Sequence, residues 1–391
     1  MLHPYAECPG HDEPIPEKAR DLDLPMINPL ELEGAEQVAD LIDNVYARSG
    51  FNARRLAEAA QLYSHMLKED TTVCLTLAGA MTPIGMSGVI NALIRAGFID
   101  FIISTGANLY HDLHRPFNQP MMQGDFVVDD NQLADTGIAR IYDVFIEDEE
   151  TLMATDRIIL KAVEQIKHDD PLSTAELHYA LGQQIKKSAT RPEWSLLATA
   201  AEHDVPIYTS SPGDSSIAMN LTVPHLFGDR VQLDPLKDVI ETASIVRAAT
   251  KNGVIIAGGG SPKNFYLQTQ PTLHQIFMDT TPVGHDYDIQ LTVDPPHWGG
   301  LSGATPQEAR SWGKIRDAFK NNVVVYSCAS LTLPLLAQYV LVRNETKSPR
   351  RLYPQLAQLS DELREAAKNN PAFLKSIGDF RHRYEGLNGN E

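Results

Sequence analysis

Cysteine is scarce in this sequence, and the cysteines present follow no pattern. The 391 residues include three, Cys8, Cys74 and Cys328, which are too few and too scattered for a disulfide framework or for the ligand spacing of a zinc site. No apolar stretch approaches the length that spans a bilayer, and no N-terminal segment combines a basic region with an apolar run. These absences together predict a cytoplasmic protein.

Basic residues are also in the minority. Lysine and arginine number 33 against 51 aspartates and glutamates, a formal net charge of −18, and no basic cluster stands out, so a nucleic-acid partner is not expected. An acidic field attracts small cations such as polyamines, although acidity also serves solubility alone. The absence of a G-x-S-x-G elbow and of a Walker loop disfavours serine-hydrolase and P-loop chemistry.

Short apolar runs rich in β-forming residues alternate with helical patterns. The runs predict buried strands at residues 72–78, 98–104, 205–209, 253–257, 287–293 and 323–326. With helices between them, they predict an α/β fold, a doubly wound, mostly parallel Rossmann-like sheet of six or more strands with peripheral helices. The Pro-rich residues 1–28 are expected to form an irregular arm, residues 29–345 one α/β domain, and residues 346–391 a helical extension.

Apolar residues at helical spacing predict the helices. These are expected at residues 35–47, 53–68, 152–168, 174–187, 194–203, 236–250, 331–342, 360–368 and 372–381. Asn52 is the expected N-cap of the second helix, because its side chain can accept a hydrogen bond from a free backbone amide. Residues 116–150 are ambiguous and fit either an inserted hairpin or an irregular excursion.

Flexible turns follow four of the predicted strands, at residues 80–88, 105–108, 210–216 and 258–260. Ligands of open parallel sheets collect beyond the carboxyl ends of the strands, so these turns are candidates for cofactor contact. The run Gly258-Gly259-Gly260 would let backbone amides approach a phosphate at a helix N-terminus. It fits equally well a tight strand-to-helix crossing that binds no ligand.

One cluster with two histidines and one single histidine suggest functional sites, but both lack the further residues that such a site needs. His111, Asp112 and His114 could hold a metal ion, yet the H-x-x-H spacing occurs without further ligands, and we expect no metal. His297 follows two prolines, where a histidine is more often a loop residue with a satisfied hydrogen bond than a catalytic base.

The segment that ends in Lys314 has an unusual local pattern. Thr305 and Pro306 followed by Glu308 predict a helix start, and Gly313 should end that helix early. If the backbone leaves the helix at Gly313, the Lys314 amine can lie beside the Trp312 indole. An apolar wall disfavours the ammonium form, lowers the pKa of the lysine and makes it a nucleophile. The alternative is an ordinary solvated lysine at a helix end.

Residues 302–316, Ser-Gly-Ala-Thr-Pro-Gln-Glu-Ala-Arg-Ser-Trp-Gly-Lys-Ile-Arg, closely resemble the active-site segment of deoxyhypusine synthases and of their homospermidine synthase relatives. The similarity extends from about residue 36 to residue 342. It implies an NAD-dependent transfer of an aminobutyl group from spermidine, in a homotetramer whose active sites are shared across a dimer interface. Lys314 takes the position of the imine-forming lysine, with Trp312 beside it and Glu308 as a substrate contact.

The resemblance also implies positions for the cofactor and shows departures from the family pattern. The expected NAD-binding residues are Thr82, Thr105, Gly106, Asp214, Gly258, Gly259, Gly260 and Ala329. Asn264 stands where hypusine-forming members have a histidine, Met219 and Leu301 stand where carboxylates grip the polyamine, and Cys328 replaces an acid. These changes predict a deoxyhypusine synthase-like transferase with a polyamine substrate, for which both a small amine and a protein lysine are candidate acceptors. Homospermidine synthesis with putrescine as acceptor and a non-catalytic NAD- or polyamine-binding homologue are the alternatives.

Overall fold

A computed structural model describes residues 35–166, 170–229, 231–281 and 283–384. The arm expected at residues 1–28 lies outside these ranges. The strands are β1 (Thr71–Leu77), β2 (Phe101–Ser104), β3 (Met122–Gln123), β4 (Ile138–Ile141), β5 (Val144–Glu147), β6 (Ile207–Thr209), β7 (Lys251–Ala257), β8 (Tyr287–Thr292) and β9 (Asn322–Tyr326). None of the helices in the described ranges is both long and apolar enough to cross a membrane.

The α-helices surround a central sheet and are also named in chain order. They are α1 (Ala35–Asn44), α2 (Phe51–Lys68), α3 (Ser87–Arg95), α4 (Gly106–His111), α5 (Asp130–Asp135), α6 (Ala154–Val163), α7 (Thr174–Ser188), α8 (Leu196–Glu202), α9 (Ser216–Leu226), α10 (Pro235–Ala248), α11 (Gly260–Pro271), α12 (Pro306–Ser311), α13 (Ala329–Arg343), α14 (Leu356–Lys368) and α15 (Pro371–Ile377).

The central sheet has six parallel strands in the order β6-β2-β1-β7-β8-β9. It confirms the predicted doubly wound α/β fold, with each predicted strand present and its ends shifted by a few residues. Every residue of β1, β2 and β8 is buried, as expected for central parallel strands that are covered on both faces.

The order of the strands places a crevice in the middle of the sheet. The chain runs from β1 outward to β2 and β6 and then returns to β7 on the other side of β1. The crossover direction therefore reverses between β1 and β7, and the carboxyl ends of these two strands, Leu77 and Ala257, lie side by side. A reversal of this kind is where open α/β sheets bind their ligands.

The ambiguous segment at residues 116–150 contains a hairpin. Strands β4 and β5 pair antiparallel through Ile141 and Val144, and β3 adds to the other edge of β5. The helix predicted at residues 152–168 is shorter: residues 148–153 form a wide π-helical turn and α6 begins at Ala154 and ends at Val163. Residues 167–169 lie outside the described ranges.

The sequence predicted Asn52 as the N-cap of α2, and this prediction is wrong. The helix begins at Phe51, and the Asn52 side chain instead pairs with the backbone of Tyr326, donating from Nδ2 to its oxygen (2.6 Å) and accepting from its N–H at Oδ1 (3.1 Å). A side-chain amide carries a donor and an acceptor, so it can complete the hydrogen bonds at the end of edge strand β9.

Other helix boundaries also differ from the prediction: α1 ends at Asn44, three residues early, and α14 begins at Leu356, four residues early. The helix expected at residues 194–203 begins at Leu196, because the Ser195 hydroxyl accepts a hydrogen bond from Ala198 N–H and caps it there. The helix expected from residue 331 already begins at Ala329. The last helix, expected to run to residue 381, ends at Ile377, because Gly378 adopts a φ of 48° and turns the chain.

Candidate active site

The turn that carries Lys314 has the predicted form. Helix α12 begins after Thr305, whose hydroxyl accepts a hydrogen bond from Glu308 N–H at 3.2 Å. The chain leaves the helix at Gly313, where φ is 70°. A Cβ at this position would lie 2.8 Å from the Nε2 atom of His274, so both the backbone conformation and the neighbouring ring require glycine.

The backbone around Lys314 is held by an isolated parallel β-bridge between Ile315 and His285. His285 N–H donates to the carbonyl of Lys314 and Arg316 N–H donates to the carbonyl of His285, each at 2.9 Å. His285 is buried, and its ring stacks on Tyr266 with the centroids 4.1 Å apart. The nucleophile candidate therefore stands on a segment fixed to the core, not on a free loop.

The Lys314 side chain has two close neighbours. Its Nζ atom lies 5.8 Å from the centroid of the Trp312 indole and donates to Oδ1 of Asn264 at 3.1 Å. Lys314 is half-buried, and desolvation lowers its pKa, an effect that the negative charge of Glu308 opposes. The expected approach of lysine to indole is confirmed, although the indole itself is 64% exposed and forms a wall on one side only.

A second lysine, Lys263, is buried near Lys314. It donates from Nζ to Gln290 Oε1 (2.8 Å) and to the carbonyl of Ala304 (2.6 Å). Desolvation lowers its pKa, while the buried carboxylate of Asp288 raises it. Gln290 in turn donates to the carbonyls of Gly258 and Ser302.

These contacts tie the glycine run to the turn that precedes α12. Gln290 was not among the residues predicted from the sequence, where residues 287–293 were predicted only to form a strand. The detectable signal was the presence of two polar side chains, Asp288 and Gln290, in a strand whose residues are all buried.

The glycine run lies at the reversal of the sheet and combines both structures that the sequence allowed. A Cβ on Gly259 would lie 2.5 Å from the Cα of Ser302, so this glycine serves a tight crossing. Gly260, with φ 57°, has no neighbouring atom closer than 3.9 Å to a built Cβ, and its N–H donates to the Ser302 hydroxyl at 2.9 Å. The surface at Gly260 is therefore open.

The other expected cofactor residues fall into accessible and buried groups. Thr105 caps α4 and donates to the carbonyl of Gly79 at 2.6 Å. Asp214 is exposed in the turn after β6, whereas Ala329 is buried at the start of α13. Thr82 is fully buried and donates to the carbonyl of Asn108 at 2.7 Å, so its side chain faces the protein interior.

Gly106 packs against the start of α9. A Cβ on Gly106 would lie 2.3 Å from the Cβ and 2.4 Å from the hydroxyl of Ser215. That hydroxyl is buried and has no hydrogen-bond partner among the described residues. In the neighbouring turn after β1, Gly79 has φ 63° and nothing within 4 Å of a built Cβ. The edge of the sheet thus offers open, glycine-lined backbone and one unsatisfied hydroxyl.

The positions that depart from the family pattern are accessible. Met219 is exposed on α9, Leu301 is exposed in the turn before α12, and Cys328 is exposed before α13, with its sulfur 3.0 Å from the Ser330 hydroxyl. No carboxylate stands at any of the three.

The histidine groups have other roles. His111 Nδ1 and His114 Nε2 share a hydrogen bond of 2.9 Å, while the buried carboxylate of Asp112 accepts from the Ser195 hydroxyl and the backbone of α8. In the described part of the chain, no group of histidine, cysteine, aspartate or glutamate side chains could hold a metal ion. His297 is an exposed residue of a short 3₁₀ turn.

The family model and the similar proteins point to the same family. The sequence pattern of the family described as deoxyhypusine synthase matches residues 40–340. A deoxyhypusine synthase-like protein of Nostoc sp. strain PCC 7120 is 44% identical over 358 residues, which cover 88% of this chain and 92% of the relative. A protein of Methanosarcina mazei named as a probable deoxyhypusine synthase 2 is 40% identical over 333 residues, 85% of this chain and 94% of the relative.

A solved structure agrees at the level of the fold. A crystal structure of an Entamoeba histolytica protein assigned as a deoxyhypusine synthase superposes with a TM-score of 0.53 at 15% identity, covering 82% of this chain and 99% of that one.

Proposed function

The chain belongs to the deoxyhypusine synthase family, and from that premise we propose that it is an NAD-dependent transferase that passes an alkylamine fragment of a polyamine through an imine on Lys314. The observation that carries the proposal is the position of the Lys314 amine. It is half-buried beside Trp312, its pKa is lowered by desolvation, and Asn264 orients it. A lysine needs a lowered pKa to act as a nucleophile near neutral pH.

The residues at the reversal of the sheet fit a dinucleotide. Gly79 and Gly260 leave open backbone on the two sides of the crevice, and the buried Ser215 hydroxyl still lacks a hydrogen-bond partner among the described residues. Thr105 and Asp214 lie at the same edge of the sheet. NAD held there would accept a hydride from the donor carbon and return it when the product forms. The pyrophosphate of a dinucleotide suits helix N-termini such as that of α11, which begins at Gly260.

The protein's own part in the reaction centres on Lys314. Its neutral amine forms a bond to the oxidised carbon of the donor, and the donor's other amine leaves with a proton. An acceptor amine then attacks the same carbon, the bond to Lys314 breaks, and the lysine returns as a free amine. Trp312 presents an apolar surface to the methylene chain, and Glu308 pairs with an ammonium group.

Asn264 orients the lysine but does not exchange protons with it. An amide oxygen accepts a hydrogen bond and is not protonated near neutral pH, so protons leave the site through Glu308 or water. A histidine at this position could do both. The chain therefore retains the nucleophile and has an amide in place of a side chain that titrates near neutral pH.

Release of diaminopropane tests the proposed function. The protein is incubated with NAD and each member of a polyamine panel that includes spermidine, and free diamine is measured by chromatography. We expect release that Lys314→Ala abolishes and that Lys320→Ala, a change of an exposed lysine on the following turn, leaves intact. A panel without release, or release that survives in Lys314→Ala, would contradict the proposal.

Two alternatives give different results in the same assay. Homospermidine synthesis predicts an aminobutylated putrescine when putrescine is added as the acceptor. A non-catalytic homologue, which the uncharged Met219 and Leu301 would favour, predicts NAD binding without diamine release. Lys314→Ala would then leave every measured quantity unchanged.

Assembly into a homotetramer is part of the proposal. Helix α9 and the residue after it expose four large apolar side chains, Met219, Val223, Leu226 and Phe227. A surface of this kind supports contact with another subunit. Light scattering on the purified protein should give four times the mass of the chain, and a monomer at micromolar concentration would contradict this part.

A further inference from the structure

A groove of about 370 Å³ lies where helices α7, α10 and α14 meet. Its lining includes Glu176 of α7, Lys237 and Glu241 of α10, and Tyr353 of the short turn that precedes α14. None of the residues that the structure places in this lining belongs to the candidate active site. The volume is sufficient for a small organic molecule.

Glu241 is the buried acid of the groove. Its side chain lines the groove, yet the residue is only 6% exposed. Its Oε2 atom has no hydrogen-bond partner among the described residues. Because nearly all buried polar atoms of folded proteins are hydrogen-bonded, an unpartnered carboxylate oxygen on the wall of a groove marks a place for a ligand that donates hydrogen bonds.

The other charged side chains of the groove already have partners. Lys237 donates from Nζ to Oε2 of Glu176 at 2.6 Å, and the Arg364 guanidinium donates to the Asp361 carboxylate. These two pairs account for both cations of the lining. In the described part of the chain, no cation lies within ion-pair distance of Glu241, so its charge remains available for a bound cation.

Nearby negative charge acts on the same carboxyl group. Burial, together with the charges of Glu176 and Asp238, raises the pKa of Glu241 from 4.5 to about 7. The hydroxyls of Tyr208 and Ser173 oppose this shift, but neither completes a hydrogen bond to Oε2. A cation bound beside Glu241 would favour the carboxylate and displace a proton from it.

The lining suits an organic cation better than a metal ion. In the described ranges, no group of three or more metal-ligating side chains comes together here or elsewhere. An alkylammonium has three N–H donors and needs no such group, and the hydroxyls of Tyr353 and Ser360 line the groove and can accept alongside Glu241. Ile240 and Leu356 supply apolar surface for a carbon chain.

We propose that the groove between α10 and α14 binds a small primary alkylammonium ion, with its nitrogen at the Glu241 carboxylate and its carbon chain along Ile240 and Leu356. One unpaired carboxylate fits one ammonium group. The inference goes beyond the chemistry proposed at Lys314 and does not depend on it. It gives the chain a second amine site, which is built from residues of α10 and α14.

Calorimetric titration with pentylamine tests the site, with 1-pentanol as the uncharged molecule of the same length. We expect saturable binding of the amine and little binding of the alcohol, because the alcohol brings no positive charge to Glu241. Near pH 7 the heat of pentylamine binding should change with the ionisation enthalpy of the buffer, since binding displaces a proton from Glu241.

A matched pair of substitutions locates the charge that binds the amine. Glu241→Gln should weaken pentylamine binding about tenfold or more and remove the buffer dependence, because it deletes a charge-assisted hydrogen bond. Glu147 on β5 is also 6% exposed with an unpartnered Oε2 and lies outside the groove. Glu147→Gln should therefore leave the affinity unchanged.

A second pair of variants alters no buried group. Ala357 is exposed and lines the groove, so Ala357→Trp should fill the groove and abolish pentylamine binding. Ala372 is exposed on α15 and lies outside the groove, so Ala372→Trp should bind pentylamine as the unmodified protein does. Glu308→Gln, which removes the acid whose charge acts on Lys314, should also leave binding in the groove intact.

Several results would overturn the inference. These are equal pentylamine affinity in Glu241→Gln and Glu147→Gln, pentanol binding as tight as that of pentylamine, and no pentylamine binding at millimolar concentration. Binding that survives in Ala357→Trp and is lost in Glu308→Gln would place the amine beside Lys314 and would overturn it as well. None of these titrations contains NAD or forms an imine, so failure of the proposed function would leave their outcome unaffected.

Discussion

The Nζ atom of Lys314 lies 3.1 Å from Oδ1 of Asn264, fifty residues earlier in the chain. This hydrogen bond joins the turn after α12 to the helix that follows the glycine run. It connects the nucleophile candidate to the helix that begins at the crevice in the sheet. The amide holds the lysine without giving it a charged partner, which leaves desolvation as the main influence on its pKa.

Asn264→Asp should therefore move the pH dependence of imine formation upward. A carboxylate at this position favours the ammonium form of Lys314 and raises its pKa, and a pKa that is higher by one reduces the neutral fraction about tenfold on the acid side. Borohydride trapping of butanal on Lys314, measured from about pH 6 to pH 10, gives the profile. Asn264→Ser, which keeps a neutral acceptor, should stay close to the unmodified profile; coincident profiles for the aspartate and serine variants would show that Asn264 does not act on the amine.

Trp312 exerts two opposing effects on the same pKa. The face of an indole attracts the ammonium, while the burial it provides disfavours that form. Desolvation lowers the pKa of Lys314, and Trp312 covers one side of the amine, so we expect Trp312→Ala to raise the pKa and slow trapping at neutral pH. Trp298→Ala removes an indole of similar exposure (70%) and should not change the profile. A profile of Trp312→Ala that moves to lower pH would mean that the cation–π attraction is larger.

Gly313→Ala should lose more stability than an otherwise similar substitution at Gly299. Both glycines have positive φ, 70° and 73°, but a Cβ at Gly313 meets the His274 ring at 2.8 Å and a Cβ at Gly299 meets nothing within 4 Å. Backbone strain costs about 1–3 kcal/mol at either site, and the clash adds to it at Gly313 alone. Urea denaturation gives the comparison, and Gly313→Ala should also reduce trapping on Lys314. Equal losses in the two variants would leave the His274 contact without a role.

Gln290→Ala should destabilise the protein by roughly 2–4 kcal/mol, because it leaves the buried Lys263 amine and two part-buried carbonyls short of a partner. Gln355 also donates to two carbonyls, those of Arg350 and Arg351, but it is exposed. Gln355→Ala should cost less than about 1 kcal/mol, since water replaces its contacts. Similar losses in denaturation midpoint would mean that Gln290 does not tie the glycine run to the turn before α12.

Asp288 should make stability fall as the pH rises. Burial raises its pKa from 3.8 to about 6, although Lys263 opposes the shift. The protonated form is therefore favoured in the folded state, and its contribution is complete below about pH 4 and is lost as the pH rises through about 6. Relative to Asp288→Asn, the unmodified protein should lose about 2 kcal/mol between about pH 4 and pH 7. A constant difference over this range would show that Lys263 keeps the carboxylate ionised.

The sequence was sufficient for the elements whose causes are local. Thr305, Pro306 and Gly313 determine the start and end of α12 through capping, a fixed φ and a left-handed turn, and each acts within a few residues. The buried strands were found for the same reason, because β1 and β2 are apolar on both faces.

The contacts that could not be predicted from the sequence join distant parts of the chain. Asparagine is a preferred residue type at N-caps, but Asn52 pairs with Tyr326, 274 residues away. Gly259 is required by the approach of Ser302, and Gln290 joins Gly258 to that same turn. No local pattern reports such pairs. Thr82 matched a family position by sequence, and only the fold shows that its side chain is buried.

The most direct measurement is borohydride trapping after incubation with NAD and spermidine, followed by peptide mapping. If Lys314 forms the proposed imine, we expect a reduced alkylamine adduct on Lys314 that depends on NAD and is absent from Lys314→Ala. A label on another lysine, or an unlabelled Lys314 peptide with every polyamine tested, would contradict it.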